Sequence, residues 1–176
     1  MHREAEVTIR EITGGFVGTP EFLKQLTEIS MKGNNYSLSD EVRWDATMSH
    51  FQREFSDFDG ESNVFFVAEQ GERVIGFTRG SIHPGRPGQW WLNGLEVREE
   101  HRGAGVGTRL TQARIEALSK RRITSIWARI AKSNLGSLIV AHKLGLRILT
   151  DRAETITGTY DDSGRSWFLR MNLPRV

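Results

Sequence analysis

Apolar residues recur with helical spacing in four stretches of the chain, and they alternate with polar residues or run together in the stretches around them. The pattern predicts helices that begin at Pro20, after Ser39, at Val106 and at about Asn134. It predicts strands over residues 5–10, 64–68, 73–82, 89–97, 125–130, 146–149, 154–160 and 167–172. Strands alternate with helices only in the middle of the chain and form hairpins elsewhere, so we expect an α/β fold with a mixed sheet.

The second predicted helix carries an aromatic stripe. Trp44, Met48, Phe51 and Phe55 recur at helical spacing and therefore share one face. Large apolar side chains in this arrangement are typical of a buried helix face, so we expect the stripe to lie in the core rather than to bind a ligand. Further along, residues 83–88 read His-Pro-Gly-Arg-Pro-Gly and predict a loop.

The length of 176 residues fits one domain, which we expect to span 1–176 without a linker. The chain has no cysteine, which excludes thiol catalysis, iron–sulfur clusters and cysteine-ligated zinc. Its histidines show no metal-ligand spacing, so no metal site is expected. The first residues lack an apolar signal core, and no apolar run approaches the roughly 20 residues of a membrane helix. We therefore expect a cytoplasmic protein that does not enter membranes.

Charge is divided unevenly between the two halves. Residues 1–88 carry 9 Lys or Arg against 14 Asp or Glu, a net charge of −5, whereas residues 89–176 carry 15 against 8, a net charge of +7. The acidic residues concentrate between positions 40 and 61. Because the basic residues are scattered and no stacked aromatic set accompanies them, nucleic acid is not an expected partner.

The most informative stretch runs from Leu95 to Thr108 and reads LEVREEHRGAGVGT. Glycines between a strand and a helix let backbone N–H groups converge, and the helix N-terminus adds about half a positive charge, so a phosphate or pyrophosphate ligand is expected. A P-loop would need Lys and then Ser or Thr after the last glycine, whereas Thr108 and Arg109 follow it. A dinucleotide loop would need an acid about 20 residues further on, yet none occurs between Glu116 and Asp151.

The loop matches a known family instead. Arg102-x-x-Gly105-x-Gly107, preceded by an apolar-x-Val strand end at Leu95 and Val97, resembles the Gln/Arg-x-x-Gly-x-Gly/Ala loop of the GNAT superfamily of N-acetyltransferases. The resemblance implies the GNAT fold, in which a mixed, mostly antiparallel sheet is flanked by about four helices.

A second motif follows after an intervening strand. Asn134-x-x-Ser137, with Lys-Leu-Gly-Leu at 143–146, is similar to the Asn-x-x-Ala/Ser helix and its Lys-x-Gly-Phe ending in the same family. The resemblance divides the expected domain into variable acceptor-side helices, an acetyl-CoA-binding core and a C-terminal hairpin, over residues 1–62, 63–150 and 151–176.

The resemblance implies that acetyl-CoA lies in a gap between the strand that ends near Val97 and the strand around Ile126. The backbone of Leu95 and Val97 would bind the pantetheine arm, and Asn134 would contact it from the other side. The pyrophosphate would be wrapped by the loop residues Arg102, Gly103, Ala104, Gly105, Val106, Gly107 and Thr108.

The implied reaction is attack of a neutral amine on the thioester. An alkylamine has a pKa of about 10.4, so a base that takes its proton is valuable. Glu96 is the candidate base, although strand alternation leaves open whether it faces the acceptor, and Asn93 is the alternative as a residue that positions a water. Many family members carry a tyrosine that protonates the departing sulfur, but Ala141 stands at that position here. Ser137 or a water is the candidate replacement.

The implied function is transfer of an acetyl group from acetyl-CoA to a primary amine. The acidic residues between 40 and 61, among them Asp57, Asp59 and Glu61, add the hypothesis that the acceptor is a small cationic molecule. Acetylation of a protein N-terminus or lysine is an alternative. A non-catalytic acyl-CoA-binding module is another, which the alanine at 141 favours. Dimers are frequent among similar proteins, which leaves a homodimer as a further expectation.

Overall fold

The computed structural model describes residues 6–31 and 39–173. Its helices are α1 (Pro20–Met31), α2 (Asp40–Ser56), α3 (Val106–Ser119) and α4 (Leu135–Lys143). Its strands are β1 (Val7–Ile12), β2 (Asn63–Gln70), β3 (Arg73–His83), β4 (Arg86–Val97), β5 (Ser125–Ala131), β6 (Arg147–Thr150), β7 (Ala153–Glu154), β8 (Tyr160–Asp161) and β9 (Ser166–Asn172). A short 3₁₀ turn, Glu99–His101, follows β4.

Among the described residues, seven strands form one sheet in the order β1-β2-β3-β4-β5-β9-β6. Every neighbouring pair is antiparallel except β4 and β5, which run parallel and are connected along the chain through α3. A parallel pair needs such a crossover because its strands start at the same edge of the sheet. The expected mixed, mostly antiparallel sheet is confirmed, as are the four helices predicted within this part of the chain.

The strand predicted over 154–160 is wrong. Its ends form β7 and β8, which pair with each other in a separate two-stranded sheet. The residues between them turn, because Gly158 has φ +80° and the Thr155 N–H group bonds the Thr159 carbonyl at 2.8 Å. A positive φ at glycine reverses the chain where the β-branched residues alone indicated a strand.

The loop predicted over 83–88 is also wrong for most of its length. β3 continues to His83 and β4 already begins at Arg86, so the turn itself is limited to two residues. The His83 Nδ1 atom accepts a hydrogen bond from the Gly85 N–H group at 3.1 Å, which holds this tight turn closed.

Two helices cover one face of the sheet, called here the α1 face, and α3 covers the opposite face, called the α3 face. The core of the α1 face is rich in phenylalanine, including Phe22, Phe51, Phe55, Phe58, Phe65 and Phe77. The predicted stripe on α2 is confirmed at Phe51 and Phe55, which are buried, while Trp44 and Met48 are half-buried. The α3 face packs aliphatic residues and Trp90 against α3, with a smaller cluster beneath α4.

The helices begin where the sequence predicted, and local signals explain their ends. The Thr19 hydroxyl accepts from the Phe22 N–H group at 3.2 Å, and the Ser39 hydroxyl accepts from the Val42 N–H group at 3.4 Å. Both are N-cap bonds that satisfy otherwise unpaired donors. Gly145 ends α4 with φ +101°. Among the helices of the described residues, none is both long and apolar enough to cross a membrane.

The strands β4 and β5 form a fork. Their parallel pairing ends at Leu92 and Ala128, beyond which the two strands no longer bond each other. On its other side β4 stays paired with β3 through a bulge, where the register shifts between Thr78 and Arg79. Gly94 is the extra residue of this bulge, with φ +49°, and a Cβ there would lie 2.9 Å from Arg79 Nε. The bulge bends β4 away from β5 and opens a gap between them.

The phenylalanine core of the α1 face gives a direct stability prediction. Phe77 is fully buried, stacks on Phe65 with centroids 5.5 Å apart, and meets the edge of Phe51 at 5.5 Å. We expect Phe77→Ala to lower the free energy of unfolding by about 3–5 kcal/mol, because it removes these contacts and leaves a cavity. Urea unfolding measures the loss. Tyr160→Ala, at a residue 63% exposed, is the control and should change it by about 0.5 kcal/mol or less; equal losses would contradict the packing described.

Candidate active site

A cavity of about 910 Å³ occupies the fork between β4 and β5 and extends to the glycine loop and α4. Of the residues expected at the site, the cavity is lined by Asn93, Leu95, Glu96, Val97, Arg102, Gly103, Gly105, Gly107, Thr108, Asn134 and Ser137. Two expected residues do not line it. Ala104 is exposed, and Val106 turns into the core of the α3 face with 3% exposure. The fold therefore brings nearly all of the expected residues to one cavity.

The glycine loop ends in an uncapped helix N-terminus. Gly103 and Gly105 have φ +76° and +81°, values that favour glycine, and no atom lies within 4 Å of a Cβ built on either one. No side chain caps the first turn of α3. Its first N–H groups therefore remain available to a ligand, and the helix dipole gives that point a partial positive charge. This is the arrangement that binds phosphate at helix N-termini.

The start of α3 lies close against β4. A Cβ on Gly107 would be 3.7 Å from a Leu95 methyl group and 3.8 Å from a Val97 methyl group, which is ordinary contact with no room to spare for a larger residue. The Arg102 Nε–H group donates to the Val97 carbonyl at 3.0 Å and ties the loop to the end of the strand. One of the backbone groups expected to bind pantetheine thus already has a partner within the protein.

The opposite wall of the cavity is α4. The Asn134 side-chain oxygen accepts from the Ser137 N–H group at 3.1 Å, so Asn134 is the N-cap of this helix. Ala141, where a tyrosine occurs in many similar proteins, is 4% exposed and also lines the cavity. The cavity wall is therefore apolar at this point.

Two candidate chemical groups lie on β4 on either side of the bulge. The Asn93 Nδ2 group donates to the Ser81 hydroxyl at 2.8 Å. Burial raises the pKa of Glu96 above its ordinary value, and the Ser30 hydroxyl, Arg79 and Arg102 lower it in part. Glu96 lies directly opposite Phe77 of β3, which packs in the core of the α1 face, so Glu96 faces the same side of the sheet. Its Oε2 atom is buried with no hydrogen-bond partner among residues 6–31 and 39–173, so it is available to accept a proton or a hydrogen bond.

An ion cluster on the α1 face neighbours the bulge. Arg79 Nη1 lies 2.6 Å from Glu54 Oε2 and 2.7 Å from His50 Nε2. Burial first, and then the positive charge of Arg79, lower the pKa of His50. The Glu54 carboxylate, the acidic group of α2 nearest to Arg79, is thus already paired.

The other acidic residues singled out from the sequence lie elsewhere. None of Asp57, Asp59 and Glu61 lines the cavity. The Asp59 carboxylate accepts from the N–H groups of Glu61 and Ser62, both at 2.8 Å, and so holds the turn that leads into β2. Attraction of a cationic acceptor by these three residues would have to act at a distance from the cavity.

Sequence reasoning missed two polar residues that line the cavity from α3. Thr111 and Arg114 are each 3% exposed, and both contain a buried polar atom without a partner in the described part of the chain. The signal was present in the sequence, because these residues share a helix face with buried Leu118 at spacings of seven and four. Among the described residues, no cluster of three or more His, Cys, Asp or Glu residues that could hold a metal ion occurs.

Comparison with known proteins agrees with this geometry. A family model described as the acetyltransferase (GNAT) family matches residues 23–146. An L-2,4-diaminobutyric acid acetyltransferase from Virgibacillus pantothenticus is 30% identical over 102 residues, 56% of this chain. The match covers 60% of that relative, so the chain spans less than two thirds of its length.

Solved structures share the fold across nearly the whole chain. An N-acetyltransferase (PaiA) from Thermoplasma acidophilum in complex with coenzyme A superposes with a TM-score of 0.67 at 16% identity, over 95% of this chain and 99% of the other. A ribosomal-protein-alanine N-acetyltransferase from Escherichia coli superposes with a TM-score of 0.62 at 19% identity, over 97% and 94%. At such identities the likeness shows the fold.

The family model spans most of the chain, including most of α1 and all of the bulged strand, the glycine loop and α4. The resemblance drawn from the glycine-loop motif is thereby confirmed. The chain belongs to the GNAT acetyltransferase family.

Proposed function

We propose that this protein transfers the acetyl group of acetyl-CoA to the primary amine of a small cationic molecule. One observation carries the proposal: a single cavity connects the uncapped N-terminus of α3 with the buried carboxyl of Glu96. The first feature suits the diphosphate of the coenzyme, and the second suits deprotonation of an amine.

The anionic end of the coenzyme would lie at the glycine loop. Gly103 and Gly105 leave open space beside the backbone, so diphosphate oxygens can approach the N–H groups closely. The pantetheine arm would then follow the cavity towards the fork, between β4 and the N-terminal end of α4. Asn134 and Ser137 line that route.

Glu96 would take the proton of the attacking amine. At pH 7 the neutral form of an alkylamine lies about 4.6 kcal/mol above the ammonium form, which makes a nearby base worthwhile. Burial raises the pKa of Glu96, so its carboxylate is a stronger base than an exposed one. Asn93, on the other side of the bulge, would position a water or the amine through its side-chain amide.

A small amine with more than one positive charge fits the acceptor side best. Glu96 is the acidic residue among those that line the cavity in the described part of the chain, and its buried carboxylate favours a cation beside it. The diaminobutyrate acetyltransferase that resembles this chain acts, by its name, on a small amino acid with two amino groups. The residues between α1 and α2, including Tyr36, lie outside the described residues.

The acceptor class is tested by measuring free thiol released from acetyl-CoA with a panel of amines. We expect release with small diamines such as 2,4-diaminobutyrate and with polyamines at kcat/KM values well above those of peptides with a free N-terminus or lysine. Preference for peptides would replace the proposal with protein acetylation. Binding of coenzyme A without thiol release for any amine would identify a non-catalytic module.

The glycine loop is tested by Gly105→Val. The residue has a positive φ that strains any side chain, by about 1–3 kcal/mol, and the new methyl groups would occupy the space where a phosphate approaches. We expect coenzyme A affinity, measured by calorimetry, to fall at least about 100-fold, because several N–H contacts are lost together.

Gly71→Val is the matched control for this variant. Gly71 also has a positive φ, +62°, with nothing within 4 Å of a built Cβ, but it lies in the β2–β3 turn and not at the cavity. It should suffer the same backbone strain and keep its coenzyme A affinity. If Gly105→Val keeps its affinity for coenzyme A, the glycine loop is not part of the binding site.

Glu96→Gln tests the proposed base. The substitution should lower kcat by about 100-fold or more and leave coenzyme A affinity unchanged. In the unmodified protein kcat should rise with pH through the raised pKa of Glu96, since only the carboxylate accepts a proton. This rise of kcat with pH should be absent in Glu96→Gln. Glu99→Gln, at an exposed residue three positions away, is the control with an intact pH profile.

The same pKa shift predicts a stability effect with a definite sign. A carboxyl whose pKa is raised on folding contributes stability below its ordinary pKa of about 4.3, and the contribution is lost as pH rises through the raised value. A glutamine side chain stays neutral at every pH, so its contribution to stability does not change with pH. The melting temperature of Glu96→Gln relative to the unmodified protein should therefore increase from about pH 4 to about pH 8; a decrease over that range would contradict burial of Glu96.

A further inference from the structure

One buried cation lines the cavity without a counter-ion. The Arg114 side chain is 3% exposed, and within the described part of the chain no carboxylate lies within ion-pair distance of it. Burial lowers the pKa of Arg114 to about 9, which leaves it a cation at neutral pH. A buried charge of this kind is costly unless something in the site uses it.

The hydrogen bonds of Arg114 fix its position at the fork. Its Nη1 group donates to the carbonyls of Arg79 at 2.5 Å and Asn93 at 3.2 Å, two residues that flank the bulge on β3 and β4. Asn93 directly follows Leu92, the last residue of β4 that pairs with β5. The Nε–H group of Arg114 is buried and has no partner among the described residues.

Position along α3 separates this end of the cavity from the phosphate end. The helix begins at Val106, beside the glycine loop, and Arg114 lies eight residues later, about 12 Å further along the axis. If the diphosphate lies at the N-terminus of α3, the arm that leaves it along the cavity carries its sulfur towards the fork. Arg114 is therefore the buried cation at the reactive end.

We propose that the guanidinium of Arg114 stabilises the coenzyme A thiolate as it leaves, in a site where Ala141 offers no phenol to protonate it. In this step the amine nitrogen bonds to the acetyl carbon, the carbon–sulfur bond breaks with its electron pair on sulfur, and the amine proton passes to Glu96. The inference rests on the proposed use of acetyl-CoA.

Other charged groups face the same cavity, and they differ from Arg114 in place or pairing. His101 and Arg102 lie at the glycine-loop end, and Arg129 is paired with Asp161 at 2.6 Å. Lys143 lies on the exposed side of α4. Glu96 carries negative charge, which would raise rather than lower the pKa of a neighbouring thiol.

The test is the pKa of the thiol of bound coenzyme A, read from the ultraviolet absorbance of its thiolate. A cation within a few ångströms of the sulfur should lower this pKa by about one to three units below that of free coenzyme A measured in the same buffer. Arg114→Gln keeps an amide N–H donor but removes the charge, so the thiol pKa should return to the value of free coenzyme A or rise above it. Arg114→Lys keeps the charge and should keep a lowered value.

A purely structural role for Arg114 would not produce this pattern. It would alter coenzyme A affinity in both variants alike and leave the thiol pKa unchanged. The kinetic counterpart is a fall in kcat of up to about tenfold for each unit by which the thiol pKa rises, with KM for the amine unchanged.

Each result decides between the proposals. A thiol pKa in the unmodified complex that equals or exceeds that of free coenzyme A overturns the role of Arg114, even if its variants fail to fold. An equal rise in Lys143→Gln and Arg114→Gln also overturns it. If coenzyme A does not bind the unmodified protein at all, the proposed function fails instead.

Discussion

The separation of β4 from β5 after Leu92 is the constraint on which the site depends. Two parallel strands in the middle of a sheet would normally bond along their whole length and leave no space between them. Here the bulge at Gly94 redirects β4 while it remains bonded to β3, and the edge of β5 is left open. The cavity, its two walls and the approach to the glycine loop all follow from this one break in the sheet.

The two ends of the cavity present different kinds of chemical group. Under the proposed function, the phosphate end would rely on backbone N–H groups and a helix dipole, for which the side chains matter mainly through their absence at Gly103 and Gly105. The reactive end would rely on two ionisable side chains, Glu96 of β4 and Arg114 of α3. Such a division would keep the negative charge of Glu96 away from the anionic end of the coenzyme and close to the amine.

The parts of the molecule that depend on local interactions could be predicted from the sequence. Ser39 and Thr19 cap helices by hydrogen bonds to residues three positions away, and Gly145 ends a helix by its own backbone preference, so their effects are readable without tertiary structure. The glycine loop is likewise local, since its spacing relative to a strand and a helix defines its geometry.

The parts that were missed depend on partners distant in the chain. The bulge at Gly94 exists only relative to the register of β3, and Arg114 becomes the cation of the fork only because α3 crosses beneath that bulge. The short strands β7 and β8 pair with each other because Gly158 turns the chain, whereas the sequence analysis predicted one continuous strand there. The candidate base was predicted, but its face was not, because the bulge resets the alternation of β4 between Asn93 and Glu96.

The central claim is that the N-terminus of α3 binds an anionic coenzyme. It is tested most directly by following the backbone amide resonances of the protein by NMR during titration with coenzyme A. The amides of residues 103–109 should shift in a saturable manner and exchange more slowly with solvent, while those of the β2–β3 turn stay in place. Saturable binding that leaves the amides of residues 103–109 unmoved, or no binding at all, would contradict the account.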